Sequence, residues 1–215
     1  MPERFALYFA PAEVAPLTEA ATSWLAQADL RALTVSARRY GFHATLKAPM
    51  GLASGMGRPA LEAAIAKFAE RRAPVGIGYL RPQLLDGFLA LTPVEQPAAL
   101  TEFAADVVRT FEPLRAPLGA AEMARRMEAP LTARQVELLE TFGYPYVLEQ
   151  FLFHMTLTDR LAEPQRTALL GRAEAWFAEA LARPVWLDRL VLFHEAEAGA
   201  PFERLADFAL QGPEQ

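Results

Sequence analysis

Cysteine is absent from this chain of 215 residues, and lysine and histidine are scarce, with two and three copies. Without cysteine the chain can form no disulfide, no thiolate metal site and no cysteine nucleophile. The 21 Lys and Arg against 26 Asp and Glu leave a net charge of −5, which argues against extended nucleic-acid binding because that needs a basic surface. A small anionic ligand in a local basic pocket remains compatible with this charge.

Long apolar runs are also missing. Although 53% of the residues are hydrophobic, no uninterrupted run approaches the roughly 18 to 20 residues that span a bilayer. The start, Met1-Pro2-Glu3-Arg4, has neither the basic region nor the long apolar segment of a secretion signal. We therefore expect no membrane span, a cytoplasmic location and a single two-lobed domain over residues 1–215.

Two of the three histidines open the same short phrase, which occurs as Phe42-His43-Ala44-Thr45-Leu46 and again as Phe153-His154-Met155-Thr156-Leu157. Apolar and polar residues alternate through both copies. Because successive side chains of a β-strand point to opposite faces, this period of two predicts strands with one face in a core and the other open to a ligand. On the open face, His and Thr stand about 6 to 7 Å apart along the strand.

Two imidazoles and two hydroxyls suit the hydrolysis of a phosphate ester. The reference pKa of imidazole is about 6.5, so one copy can be neutral and act as a base while the other is protonated and acts as an acid. Thr45 and Thr156 can donate hydrogen bonds to phosphate oxygens without titrating. The same alternation puts Lys47 on the face of His43 and Thr45, where it is a candidate phosphate ligand.

Through the duplicated phrase the chain resembles the two-histidine (2H) phosphoesterase superfamily and, more narrowly, a branch associated with phosphonate metabolism. The segments that carry the resemblance are residues 5–11, 39–47, 142–146, 151–158 and 200–202. The resemblance implies an α+β fold of two pseudo-symmetric lobes, whose antiparallel sheets form a concave groove with helices outside. It also implies that both His-x-Thr pairs are catalytic.

The rest of the pattern agrees with an α+β protein, because predicted strands and helices interleave along the chain. The clearest amphipathic helix covers residues 100–111. A capping box at Thr132 predicts a helix to about Thr141. Residues 113–131 show no clear period.

Further residues near the two phrases are weaker candidates. We expect Lys47, Arg39, Tyr40 and Thr158 to bind substrate. Arg125 and Arg126 are interpreted as a solvated helix face rather than an anion clamp. His194 has Ala196 two residues later instead of a threonine and is interpreted as structural.

A zinc site is the competing chemistry for the two histidines. Catalytic zinc usually has three protein ligands, and neither phrase has a Cys or carboxylate at ligand spacing, since alternation turns Asp159 to the opposite face. We therefore expect no metal. The sequence contains no Gly-x-x-x-x-Gly-Lys-Ser/Thr loop and no Gly-x-Gly-x-x-Gly after a strand, so no nucleotide cofactor is expected either.

The sequence thus predicts a metal-independent cyclic phosphodiesterase with a small phosphorylated substrate, such as a ribose 1,2-cyclic phosphate carrying a second phosphate. One alternative is an RNA 2′,3′-cyclic phosphodiesterase or 2′-5′ RNA ligase-like enzyme, which the low basic content disfavours. Another is a non-catalytic binder of phosphorylated metabolites, against which the two intact phrases argue. The pattern predicts no particular oligomeric state.

Replacing either His43 or His154 by alanine is expected to lower turnover by at least about 10²-fold, because each removes one proton-transfer group. The measurement is steady-state hydrolysis of a cyclic phosphate in the presence of EDTA. His194→Ala is the control and is expected to stay near the wild-type rate. Full activity of either alanine variant, or a strict need for a divalent metal, would contradict the assignment.

Overall fold

The computed structural model describes residues 3–213. This part of the chain contains seven α-helices and nine β-strands. The strands are β1 (Arg4–Phe9), β2 (Ala44–Met50), β3 (Val75–Gly78), β4 (Leu80–Leu85), β5 (Phe88–Pro93), β6 (Met155–Arg160), β7 (Val185–Leu187), β8 (Arg189–Glu195) and β9 (Glu203–Ala209). The helices are α1 (Pro16–Ala26), α2 (Val35–Tyr40), α3 (Arg58–Ala69), α4 (Ala98–Phe111), α5 (Ala120–Met127), α6 (Ala133–Phe142) and α7 (Glu163–Phe177). Short 3₁₀ turns cover Ala28–Leu33, Glu112–Leu114 and Leu148–Gln150.

The first lobe is a four-stranded antiparallel sheet with the strand order β2-β1-β8-β9. Its central strand β1 is buried on both faces. Phe5, Leu7 and Phe9 enter the main core, whereas Ala6 and Tyr8 pack in a separate cluster on the other face. The first His-x-Thr phrase runs into β2, at the edge of this sheet, with His43 immediately before the strand and Thr45 on it.

The second lobe is a three-stranded antiparallel sheet with the order β4-β5-β6, and β6 at its edge carries the second phrase. Asp86 and Gly87 both have positive φ, as a tight type I′ hairpin requires, and join β4 to β5. A two-stranded ribbon of β3 and β7 leads into both sheets, because β3 runs on into β4 and β7 into β8. The expected α+β class with antiparallel sheets is confirmed.

One hydrophobic cluster runs between the two lobes. It contains apolar side chains of β1 and β8 from the first sheet, of β5 and β6 from the second, and of the helices. The amphipathic pattern over residues 100–111 is confirmed by α4, whose Leu100, Phe103, Val107 and Phe111 are buried. The capping box is confirmed as well, since the Thr132 and Gln135 side chains satisfy each other's backbone N–H groups at the start of α6.

Two contacts tie the strand of the second phrase to the segment that leads into the first. The carboxylate of Asp159, on β6, accepts hydrogen bonds from the backbone N–H groups of Val35 and Ser36 at the start of α2. The buried indole of Trp24 donates to the carbonyl of Leu157 at 3.2 Å. Since α2 ends three residues before His43, these contacts help to set where the two histidines lie relative to each other. Within residues 3–213, no helix combines the length and apolarity needed to cross a bilayer.

Candidate active site

The two histidines lie in the wall of one cavity, although 110 residues separate them in the sequence. His43 comes immediately before β2 and His154 immediately before β6. Both line a cavity of about 410 Å³, together with Thr45 and Thr156. The expectation that the two lobes bring the phrases together in one groove therefore matches the geometry.

Both imidazoles are held in the same way by the backbone. Nδ1 of His43 lies 2.9 Å from the carbonyl oxygen of Gly41, and Nδ1 of His154 lies 2.9 Å from that of Leu152. In each case the carbonyl belongs to the residue two positions earlier. A carbonyl can only accept, so Nδ1 carries the proton and Nε2 is left free for chemistry.

Gly41 makes this arrangement possible beside the first histidine. Its φ of 75° falls in the region that L-residues with a side chain rarely adopt, and it turns the chain from α2 into β2. The hydroxyl of Thr45 lies 3.3 Å from Nε2 of His43. In the neutral imidazole this nitrogen accepts the bond, so Thr45 contacts the atom that takes up a proton.

Aromatic rings pack against both imidazoles. Tyr8 stacks on His43, with ring centroids 3.7 Å apart and planes inclined by 19°. Phe88 lies 5.8 Å from His154 in a tilted arrangement. Tyr8 is on β1, opposite Thr45 in the register of the sheet, so strand pairing itself delivers this ring to the imidazole.

Burial makes the charged form of both imidazoles costly. It lowers the pKa of His43 to about 4, an effect that the Gly41 carbonyl opposes and a charge on His154 reinforces. Burial also lowers the pKa of His154, against the opposing effect of the Leu152 carbonyl. Both imidazoles are thus mainly neutral at neutral pH in the ligand-free protein.

Of the four weaker substrate-binding candidates, Tyr40 lines the cavity and the other three do not. Arg39 turns away, donating from Nε to the carbonyl of Ala200 at 3.2 Å and pairing with the carboxylate of Glu195. His194 lies outside the cavity, where it stacks on Phe5.

The expectation that Lys47 shares the face of His43 and Thr45 is wrong. In the pairing of β1 with β2, Leu7 is opposite Lys47 and Tyr8 is opposite Thr45, so β2 contains one extra residue at this point. Such a β-bulge shifts the alternation of side chains. Lys47 is consequently buried and paired with the carboxylate of Glu112 at the end of α4.

The expectation that Thr158 faces the cavity is also wrong, because Thr158 lies within an irregular stretch of strand pairing. Phe88 is opposite Arg160 and Ala90 is opposite Thr156, so β6 also has an irregularity directly after its phrase. The fully buried hydroxyl of Thr158 accepts the N–H of Leu89 at 3.0 Å instead of facing the cavity. Its function here is to replace a backbone bond that the irregularity removes.

Sequence reasoning missed several residues of the cavity wall. The structure places Arg4, Tyr8, Arg125, Arg126 and Tyr144 there. The pair Arg125-Arg126 was visible as a cationic doublet, but the surrounding segment has no period that would have oriented it. Within residues 3–213 no group of three or more His, Asp or Glu side chains is arranged to hold a metal ion.

The fold, with both histidine phrases at one cavity, is similar to that of known solved structures. A crystal structure of TT0787 from Thermus thermophilus aligns with 98% of this chain and 100% of its own, at a TM-score of 0.53 and 15% identity. Escherichia coli LigT complexed with NADP⁺ aligns with 98% of this chain and 99% of its own, at a TM-score of 0.46 and 15% identity. The chain belongs to the family described as protein of unknown function (DUF1045), which matches residues 45–203.

A curated relative is 38% identical over 224 residues, covering 93% of this chain and 49% of its own length. It is the ribose 1,5-bisphosphate phosphokinase PhnN of Janthinobacterium sp. (strain Marseille). The chain spans about half the length of the curated relatives it matches.

The lowered pKa values predict how the ligand-free protein responds to pH. Unfolding restores His43 to an ordinary pKa near 6.5, so between about pH 4 and 6.5 the unfolded chain binds a proton that the native state does not. The free energy of unfolding should therefore fall as the pH falls through this window, by up to about 1.4 kcal/mol per pH unit for one imidazole. In His43→Gln, the free energy of unfolding measured with urea should depend less steeply on pH than in the wild type. NMR titration of His43 near its ordinary pKa would contradict this account.

Lys47→Met tests the burial of the lysine outside the cavity. We expect the variant to retain kcat/KM for a cyclic phosphate within about threefold, because Lys47 lies outside the cavity and Glu112, once it has lost the lysine, keeps its contact with Arg115. Thr45→Val, two residues away on the cavity face, is the matched comparison and should lose activity. A large loss of kcat/KM in Lys47→Met, with an unchanged thermal unfolding temperature, would show that Lys47 contributes to the site after all.

Proposed function

We propose that the protein is a metal-independent cyclic phosphodiesterase that opens a small sugar cyclic phosphate by two-histidine acid-base catalysis. The observation that carries the proposal is the matched pair of imidazoles, each anchored at Nδ1 by the carbonyl two residues earlier, in the wall of one cavity. The Nε2 atoms of both imidazoles are thereby left to exchange protons with the attacking water and the leaving oxygen at one phosphate ester.

In the proposed reaction the phosphate lies between the two Nε2 atoms. One neutral imidazole takes a proton from water as the water oxygen bonds to phosphorus. The other imidazole, protonated, gives its proton to the sugar oxygen as the P–O bond to that oxygen breaks. One bond forms, one breaks, and the elements of water are added across the ester. Each proton transfer of this kind typically contributes about 10²- to 10⁴-fold in rate.

The lowering of both imidazole pKa values suits this scheme. The imidazole that acts as base must be neutral, and burial keeps it so. The imidazole that acts as acid must be charged, and the negative phosphate favours that charge, most strongly where water is excluded. Thr45 and Thr156 then stabilise the charge on the phosphate oxygens, an electrostatic contribution that is often the largest in an active site.

The names of the relatives support a particular substrate. Their name includes ribose 1,5-bisphosphate, which is the product formed when a 5-phosphorylated ribose 1,2-cyclic phosphate opens at the bond to O2. This chain lacks the phosphate-binding loop of P-loop kinases, so we assign the phosphokinase activity to the half of the relatives outside the match. The proposed reaction, in phosphonate metabolism, would then supply that activity with its substrate.

An adjoining cavity favours a second candidate, hydrolysis of a nucleoside 2′,3′-cyclic phosphate at an RNA end. This cavity, of about 320 Å³, shares His154, Thr45 and Tyr144 with the first. Other aromatic residues in its wall are Phe88, Tyr146 and Phe151. A nucleobase can stack on such rings.

A direct assay separates the candidates. The purified protein, with a chelator present, is given 5-phosphoribosyl 1,2-cyclic phosphate, a nucleoside 2′,3′-cyclic phosphate and a 2′-5′-linked dinucleotide, and products are followed by ³¹P NMR. We expect the ribosyl substrate to have the highest kcat/KM, with a bell-shaped pH dependence because one imidazole must be neutral and the other charged.

Three outcomes would count against the proposal. Preference for the nucleoside substrate would favour the second candidate. A rate rising monotonically to pH 10 would exclude two-histidine catalysis. Tight binding of these compounds without turnover would indicate a non-catalytic binder.

A further inference from the structure

Three arginines stand in the wall of the cavity that holds the histidines. They are Arg4, Arg125 and Arg126, and no Asp or Glu is among the described residues that line this cavity. The wall of this cavity is therefore positively charged, although the chain as a whole carries a net charge of −5.

Arg4 lies on the same face of the first sheet as Tyr8, whose ring stacks on His43. Arg4, Ala6 and Tyr8 alternate along β1, so all three lie on one face, and Ala6 leaves space between the two larger side chains. The fully buried carboxylate of Glu195 binds Nε of Arg4. Both Nη atoms of Arg4 therefore stay available for a ligand within the described part of the chain.

Arg125 and Arg126 come from α5, a helix with no buried residue. Glu122 binds both guanidinium groups, and Nη1 of Arg126 donates to the carbonyl of Gly143 at 2.7 Å. These contacts hold Arg126 against the loop after α6 with its Nη2 atom still available. The bond from Arg126 to Gly143 thus joins α5 to the loop after α6, and both arginines of this helix line the cavity.

The arginines and the aromatic residues mark different ends of the site. A further cavity of about 320 Å³ adjoins the first through Arg4, Pro49 and Arg126. The aromatic cavity adjoins it through Thr45, Tyr144 and His154 instead. The cavities at the arginine end and the aromatic end therefore have no wall residue in common.

The charge at the arginine end exceeds what the reacting phosphate needs. A cyclic phosphodiester has one negative charge, which the imidazolium and the threonine hydroxyls already meet. Glu195 pairs with Arg4 and also with Arg39, which lies outside the cavity. Glu122 pairs with both Arg125 and Arg126. Four guanidinium groups thus share two carboxylates, which leaves two positive charges in excess. A phosphate monoester carries about −1.5 to −2 at neutral pH and matches that excess.

We propose that Arg4, Arg125 and Arg126 form a second anion site, which binds a phosphate monoester carried by the same substrate whose cyclic ester reacts at the histidines. This deepens the proposed function and rests on it for the identity of the substrate. The site selects a doubly phosphorylated sugar over a singly phosphorylated one, because guanidinium groups bind phosphate through charge-assisted hydrogen bonds.

The kinetic test compares ribose 1,2-cyclic phosphate with and without a 5-phosphate. The variants are Arg126→Gln and the double variant Arg125→Gln/Arg126→Gln. In both, we expect kcat/KM for the 5-phosphorylated substrate to fall by about 10- to 100-fold. We expect kcat/KM for the substrate without the 5-phosphate to change by less than about threefold. Arg134→Gln is the matched control. Arg134 is also a helical arginine paired with glutamates, but it lies outside the cavity.

A binding test keeps the failure of this inference separate from that of the proposed function. Ribose 5-phosphate is titrated calorimetrically into His43→Ala/His154→Ala protein, with ribose as the reference, and again after Arg125→Gln/Arg126→Gln are added. We expect binding that the arginine changes weaken by at least about tenfold. If cyclic phosphates are hydrolysed without regard to the 5-phosphate, this inference is wrong and the proposed function stands. If ribose 5-phosphate binds through the arginines but no cyclic phosphate is hydrolysed, the proposed function is wrong and the anion site stands.

Discussion

The carboxylate of Asp159 makes the contact on which the rest of the site depends. It lies on the strand of the second histidine and binds the two backbone N–H groups that open α2, the helix that leads to the first histidine. A helix of six residues has little stability of its own in water, and a carboxylate at its N-terminus satisfies donors that the helix leaves unpaired. The position of His43 is thereby linked to the lobe that carries His154.

Burial serves the proposed chemistry in two ways. It keeps the imidazoles neutral until a phosphate is present, and it strengthens the interaction between that phosphate and the imidazole that becomes protonated. The Nδ1 contacts with Gly41 and Leu152 are compatible with both protonation states, because Nδ1–H donates in each. Proton transfer at Nε2 therefore requires no rotation of either ring.

The two cavities that adjoin the site contrast in chemistry. One shares arginines with it, and the other shares His154 and carries aromatic rings. If the proposed substrate is correct, its second phosphate lies at the arginine end, and the aromatic end contacts only the sugar or remains open to solvent. A nucleoside substrate would fill the aromatic end instead. In the proposed function, the side chains at the two ends of the site distinguish these substrate classes.

The pattern of residues was enough to determine the interleaved strands and helices, the capping box at Thr132 and the alternation that sets each His beside its Thr. These features depend on neighbours along the chain, which is why periodicity detects them. The pairing of His43 with His154 was foreseen only through the repeat and the family resemblance, since nothing local brings two distant strands to one cavity.

Tertiary structure alone decided where the residues after each phrase point. Lys47 and Thr158 stand four residues after their histidines, and simple alternation assigns both to the open face. Lys47 lies just after an irregularity in strand pairing and Thr158 lies within one. Such irregularities arise from the fit of one strand to its neighbour, which a single strand's sequence does not encode. Arg4, Arg125 and Arg126 reached the cavity for a similar reason. Arg4 is held by Glu195 and Arg126 by the carbonyl of Gly143, both outside their own elements, so only the folded molecule shows that Arg4 and the Arg125-Arg126 pair share one wall.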